Sequence, residues 1–123
     1  MSRFSRAFPN LARRIFQHPA GPFNSITDVK GVEVGHVSVR DPERGVMTGV
    51  TALWPRRDVV SIRPFAGVHA LHGAGEMTGF LQIAEWGVIE TPIVLGSSLA
   101  IGRIHDGLIE SLQEIDPAMG VTG

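Results

Sequence analysis

The sequence predicts an α/β fold in which helices cover a mixed β-sheet, and three observations carry that expectation. Residues 32–54 alternate with a period of two, the signature of strands. Residues 101–115 repeat apolar positions at steps of three and four, the signature of an amphipathic helix. Between them a short apolar run at 91–95 follows a second helical pattern, so strand and helix alternate after a strand-rich start.

The elements follow in order. Phe4, Phe8, Leu11 and Ile15 fall at helical spacing, but Pro9 interrupts that pattern. Residues 17–25 hold two prolines and a glycine and read as a loop, so residues 1–25 are taken as an arm and residues 26–123 as the α/β unit. Val32–Val39 reads as a strand. Val32 and Val34 share one phase and Val37 and Val39 the other, which predicts a bulge at Gly35-His36. Asp41-Pro42-Glu43-Arg44-Gly45 has turn chemistry. A second strand, Val46–Trp54, carries no charge on either face, which predicts that both faces are covered. Val59–Arg63 reads as a short third strand. A helix is expected from near Glu76 to Trp86, with Met77, Phe80, Leu81, Ala84 and Val88 as its stripe and Gly87 as its stop. Thr91–Leu95 reads as a buried strand, and Ser97 or Ser98 as the cap of the next helix. That helix carries Ile101, Ile104, Leu108, Leu112 and Ile115 and ends at Asp116-Pro117. Gly120–Gly123 follows with no terminating element.

Composition excludes several classes. Apolar residues make up 43% and charged residues 19%, which is globular rather than disordered composition. A net charge of −1 gives no footprint for nucleic acid or a membrane surface. With no cysteine, disulfides, thiolate metal sites and cysteine nucleophiles are impossible, which fits a cytoplasmic location. No apolar run reaches membrane-spanning length. The charge is uneven. Arg3, Arg6, Arg13 and Arg14 precede any acid, whereas seven acids from Glu76 onward face Arg103 alone. The arm shares its arginines, serines and lack of acids with transit peptides, but a docking arm or lead-in is the preferred reading.

Few residues carry chemistry by themselves. His72-Gly73-Ala74-Gly75-Glu76-Met77-Thr78-Gly79 matches neither the Walker pattern nor the dinucleotide fingerprint. Glu76 in a first helical turn would also repel phosphate. The stretch is either tight packing of loop on sheet or a pocket wall where backbone approaches a small substrate. Glu76 either stabilises a helix start or receives a substrate ammonium group. His69 and His72 would share a face only on a helix, and no third metal ligand is placed. His36 and His105 read as structural. Ser97 and Ser98 stand in a strand-turn-helix context, yet Leu95-Gly96-Ser97-Ser98-Leu99 does not match the nucleophile elbow. Thr48-Gly49-Val50-Thr51 looks like a strand with a glycine where something packs close.

Four segments in order resemble one family. Asn24-Ser25-Ile26-Thr27-Asp28-Val29 with Gly31-Val32-Glu33-Val34-Gly35-His36 is similar to the opening of the D-aminopeptidase/β-aminopeptidase hydrolases (the L-aminopeptidase/D-esterase type). Thr48-Gly49-Val50-Thr51-Ala52, Gly73-Ala74-Gly75-Glu76-Met77-Thr78-Gly79 and Glu90-Thr91-Pro92-Ile93 resemble the segments that follow. The resemblance implies a four-layer αββα sandwich. It also implies maturation by self-cleavage, which exposes an N-terminal serine or threonine nucleophile on a second subunit. It implies release of N-terminal residues from peptides, amides or esters, without a metal or other cofactor. The family's Pro-Val-Val segment, oxyanion asparagine and cleavage junction have no counterpart in these residues. His72 stands where members often have Asn, and Gly96-Ser97-Ser98-Leu99 where they have Thr-Asn-Thr-His.

The resulting expectation is the N-terminal part of a self-processing aminopeptidase or amidase, with its nucleophile beyond this chain. His72, Glu76, Thr78, Ser97 and Ser98 are expected to shape the substrate site. Expected partners are a small peptide or amide substrate, the rest of the precursor or second subunit, and copies of itself in a homo-oligomer. Nucleic acid and membrane are not expected. The alternative is a naturally short, inactive binding or assembly module, and a weaker third reading is a phosphate-ligand binder.

Overall fold

A computed structural model describes residues 6–15 and 17–120. Phe4 of the arm's apolar stripe and the last three residues of Gly120–Gly123 lie outside the described residues. The elements are α1 (Pro9–Ile15), β1 (Glu33–Asp41), β2 (Val46–Trp54), α2 (Phe80–Trp86), β3 (Ile93–Leu95) and α3 (Ile101–Ile115). Two 3₁₀ turns, Ile26–Asp28 and Ser98–Ala100, precede β1 and α3.

Pro9 stands at the first position of α1, where its missing N–H costs nothing, and the chain breaks from helix at Phe8 just before it. The Ile26–Asp28 turn is held by a capping box: Thr27 N–H donates to Ser25 Oγ, and Asp28 Oδ2 accepts from Ser25 N–H at 3.1 Å. β1 and β2 form an antiparallel hairpin. In its turn Asp41 Oδ1 accepts from Arg44 N–H at 3.1 Å, and Gly45 adopts φ 66°.

β3 pairs antiparallel with β2, giving the order β1-β2-β3. The three-stranded sheet is thus antiparallel throughout, where a mixed one was expected. The register runs without interruption from Glu33↔Trp54 to Asp41↔Val46, so no bulge occurs at Gly35-His36. The valines change face because the strand is continuous and Val34 and Val37 are an odd number of residues apart: Val34 pairs with Leu53 on one side, and Val37 pairs with Val50 on the other.

Val59–Arg63 is not a strand. Asp58 C=O accepts from both Ser61 N–H and Ile62 N–H, closing a turn that buries Val59 completely. Extended pairing comes later, where Phe65 bridges Val88, Ala66 N–H donates to Gly87 C=O at 2.9 Å and Ile89 N–H to Pro64 C=O at 3.0 Å. Gly87, at φ 69°, ends α2 as expected by donating to Ile83 C=O.

Helix α3 approaches the Val50 face of the sheet only at its β3 side, and Val37 and Val39 on that face stay 69% and 50% exposed. Gly96 fits between them: a Cβ there would be 2.5 Å from Ile104 Cδ1 and 3.7 Å from Val50 Cγ2. Leu112 of α3 is fully buried. The opposite face keeps Met47 and Leu95 exposed at 70% and 60%, so the expectation that both faces are covered is not met among the described residues.

Candidate functional site

The glycine-rich stretch forms an exposed loop, and helix α2 begins only at Phe80. Gly79, at φ 86°, sets that start, because an L side chain resists the left-handed region. Glu76 therefore stands ahead of the helix and not in its first turn, which corrects the sequence expectation. Its carboxylate is left without a hydrogen bond or ion pair among the described residues. His72 folds over the same loop and accepts Ala74 N–H on Nδ1 at 3.3 Å.

Below this loop a cavity of about 390 Å³ opens between α2, β3 and α3. Glu76, Met77 and Thr78 form one wall, Gln82 and Ile83 of α2 another, and Pro92, Val94, Ile104 and Leu108 an apolar floor. Glu90 and His105 add polar atoms. Of the five residues expected from sequence, Glu76 and Thr78 meet here, whereas His72, Ser97 and Ser98 do not line the cavity.

Ser97 takes the N-cap position of the Ser98–Ala100 turn, but its hydroxyl makes no capping bond; its carbonyl accepts Ala100 N–H at 2.9 Å instead. Both serines are exposed, and among the described residues neither is hydrogen-bonded to a histidine. Gly96 lets the chain pass close to Ile104 just before the serines.

Glu90 is the wall residue that side-chain reasoning missed. It was read only as part of the Glu-Thr-Pro-Ile strand entry. Its Oε1 accepts from Gln82 Nε2 at 2.7 Å, and its Oε2 lies 3.0 Å from Arg63 Nε. One carboxylate thereby ties α2 to the 63–66 segment. The signal in the sequence was weak, since Arg63 and Glu90 are far apart along the chain.

The shifted ionisations lie elsewhere. Two hydrogen bonds from Arg57, at 2.6 and 3.1 Å, hold the Glu33 carboxyl below the usual carboxylate range, and the bonded Arg56 does the same for Asp58. Both pairs are exposed and brace the strand end and the following turn. Among the described residues, no three His, Cys, Asp or Glu side chains converge to hold a metal ion, and no helix is long and apolar enough to cross a membrane. The arrangement in the cavity suits a ligand with a cationic end, for the free carboxylate, and an apolar body, for the floor.

Comparison with known proteins gives the family. The model of peptidase family S58 matches residues 24–122. The chain is 36% identical over 107 residues to the beta-peptidyl aminopeptidase BapA of Sphingosinicella microcystinivorans, covering 81% of this chain and 27% of that protein. It is 32% identical over 102 residues to the BapA of Sphingosinicella xenopeptidilytica, covering 77% and 25%. The crystal structure of the PH0078 protein from Pyrococcus horikoshii OT3 superimposes with a TM-score of 0.78 at 39% identity, over 85% of this chain and 32% of that one. The chain thus spans 25–32% of the length of these relatives. By the family match across residues 24–122, the chain belongs to peptidase family S58.

Proposed function

We propose that this chain is the N-terminal portion of a self-processing aminopeptidase or amidase, whose nucleophile is supplied by polypeptide beyond Gly123. The observation that carries this is the unpaired Glu76 carboxylate at the mouth of an apolar cavity, in a chain whose named curated relatives are aminopeptidases. A substrate's α- or β-ammonium group would pair with Glu76, its first side chain would lie on the Ile104–Leu108 floor, and the Thr78 hydroxyl would hydrogen-bond its polar backbone. His72, Ser97 and Ser98 would form the outer rim. Residues 26–123 would belong to the hydrolase unit and residues 1–25 to an arm.

The chemistry divides accordingly. An N-terminal serine or threonine can be activated by its own α-amino group, attack the acyl carbon and release the amine. Donors aimed at the developing oxyanion stabilise that step. This chain's contribution would be to hold the substrate's charged end and exclude water from its apolar part. In the same reading, the exposed sheet face bearing Met47 and Leu95 would pack on a second sheet, making the four-layer αββα sandwich. The mature protein would be a cytoplasmic homo-oligomer.

The test starts with the intact mass and N-terminal sequences of the protein purified from its native source. Two fragments, the second beginning with Ser or Thr, are expected. A single 13.2 kDa species would sink the enzyme reading and favour a binding or assembly module. With the processed protein in hand, Glu76→Gln should lower kcat/KM for an N-terminal amide substrate by about ten- to a hundredfold, since a charge-assisted hydrogen bond contributes about 1.5–3 kcal/mol. An unchanged value would remove Glu76 from the site.

A further inference from the structure

The family match begins at residue 24, so the N-terminal arm lies outside it. That arm carries an unusual surface. Helix α1 is rooted by Ala12, which is 6% exposed, and shares a cavity with Ile26 and Val29. Phe8, just before the helix, and Leu11 and Ile15 on it are about half exposed at spacings of three and four, with Ile15 also at the edge of that cavity. Arg13 and Arg14 flank them, and Arg6 precedes them. Among the described residues, none of these three guanidinium groups is ion-paired.

A surface of opposite sign stands at the other end of the chain. Asp106, Glu110 and Glu114 recur every four residues along α3, opposite the buried Leu112 stripe, and all three are exposed. Among the described residues they form no ion pair either. Repeated like charge at this spacing destabilises a helix on its own, whereas cations laid across it relieve the repulsion. Within one chain the two surfaces do not meet in any ion pair.

We infer that the arm docks on helix α3 of a second copy of this chain, its arginines across the Asp106–Glu110–Glu114 stripe and its Phe8–Leu11–Ile15 side against Ile115, which stays 57% exposed at the end of that helix. The exchange is reciprocal. Each copy gives one arm and receives one, so a two-fold axis closes the contact without leaving a free end. The charge match sets which face is chosen and makes the contact sensitive to salt. The apolar side supplies the burial that surface ion pairs alone do not. The occupant is a second copy because the complementary stripe is already present in the same chain; an anionic bilayer would use the arm but leave the stripe idle.

The experiment uses the protein as isolated, in whatever processed form it has, with its mass followed by analytical ultracentrifugation. R6E/R13E/R14E should shift the assembly to half its mass or less at a protein concentration where the parent is intact. D106R/E110R/E114R should do the same. Combining the two sets should restore the parent mass, which loss of folding in either set could not do. Circular dichroism of each variant checks that α3 survives. Raising the salt from about 0.05 M to 0.5 M should weaken the parent assembly. A parent that is monomeric, an assembly indifferent to both charge reversals, or failure of the combined variant to recover would each overturn the inference. So would an arm-dependent binding to phosphatidylglycerol vesicles that leaves the assembly mass unaltered. Because the readout is mass and not turnover, failure here leaves the aminopeptidase reading standing.

Discussion

A methyl group added at Gly49 would sit 2.7 Å from the Val37 carbonyl oxygen, on the neighbouring strand. Backbone on one strand cannot yield without disturbing the Ser38↔Gly49 register. At Gly96 the corresponding obstacle is the Ile104 δ-methyl, which can rotate away. Gly49→Ala should therefore cost about 1–3 kcal/mol, as overpacking does, and Gly96→Ala distinctly less. Urea unfolding of both variants checks the order, and equal losses would mean that the sheet relaxes freely at Gly49. The close approach at Gly49 was legible in the sequence, because a lone glycine within a strand of otherwise alternating residues marks a tight neighbour. The setting of Glu76 was not legible. Whether it belongs to the helix depends on the left-handed Gly79, and a glycine that starts a helix has the same letter as one that merely fits inside it. Nor could the sequence show that Glu90 is already held by Gln82 and Arg63 while Glu76 has no partner among the described residues, since both are carboxylates beside an apolar stripe.

Elements read well where one strong period ran undisturbed. β2 came out at Val46–Trp54, as read, and α3 ended at Ile115 before Asp116-Pro117. Reading failed where short apolar runs met charges. Val59-Val60-Ser61-Ile62 has strand composition, but Asp58, bonded to Arg56, draws the following N–H groups into a turn. The phase change in β1 was misread for a related reason. A bulge is one way to keep valines on one face, and a sheet with two apolar faces needs none. The same logic ranks the positions of α3. Leu112 is fully buried and Ile115 is 57% exposed, though both lie on the apolar stripe. Leu112→Ala should cost about 2–5 kcal/mol through lost transfer energy and a cavity. Ile115→Ala should cost clearly less in the same chain. Thermal unfolding measures the contrast, and a comparable loss at both sites would mean that something covers Ile115 in solution.

At the scale of the molecule, the exposed surface decides between kinds of partner. The accessible area is 10147 Å², whereas a compact monomer of this mass exposes about 6,400 Å². The excess, roughly 3,700 Å², exceeds the share one partner contributes to an ordinary dimer interface, about 800 Å². Reciprocal docking of arms can account for only a small part of it. The larger part leaves room for the further layer of the proposed reading, and the relatives, about three times as long, have the chain to build one. The fold class was thus readable from periodicity, while what packs on the exposed apolar surface was not, because an apolar residue has the same letter whether it is covered or bare. Phe65 and Leu99, at 95% and 99% exposure, are the most exposed large apolar side chains among the described residues. Residues 1–123 produced alone should bind an apolar dye such as ANS and associate as concentration rises. Under the proposed reading, co-expression with the second subunit should abolish both effects and raise the unfolding temperature. A dye-silent, monomeric chain that unfolds in one sharp transition would show instead that these residues close their own core in solution, and the need for a covering layer would fall with it.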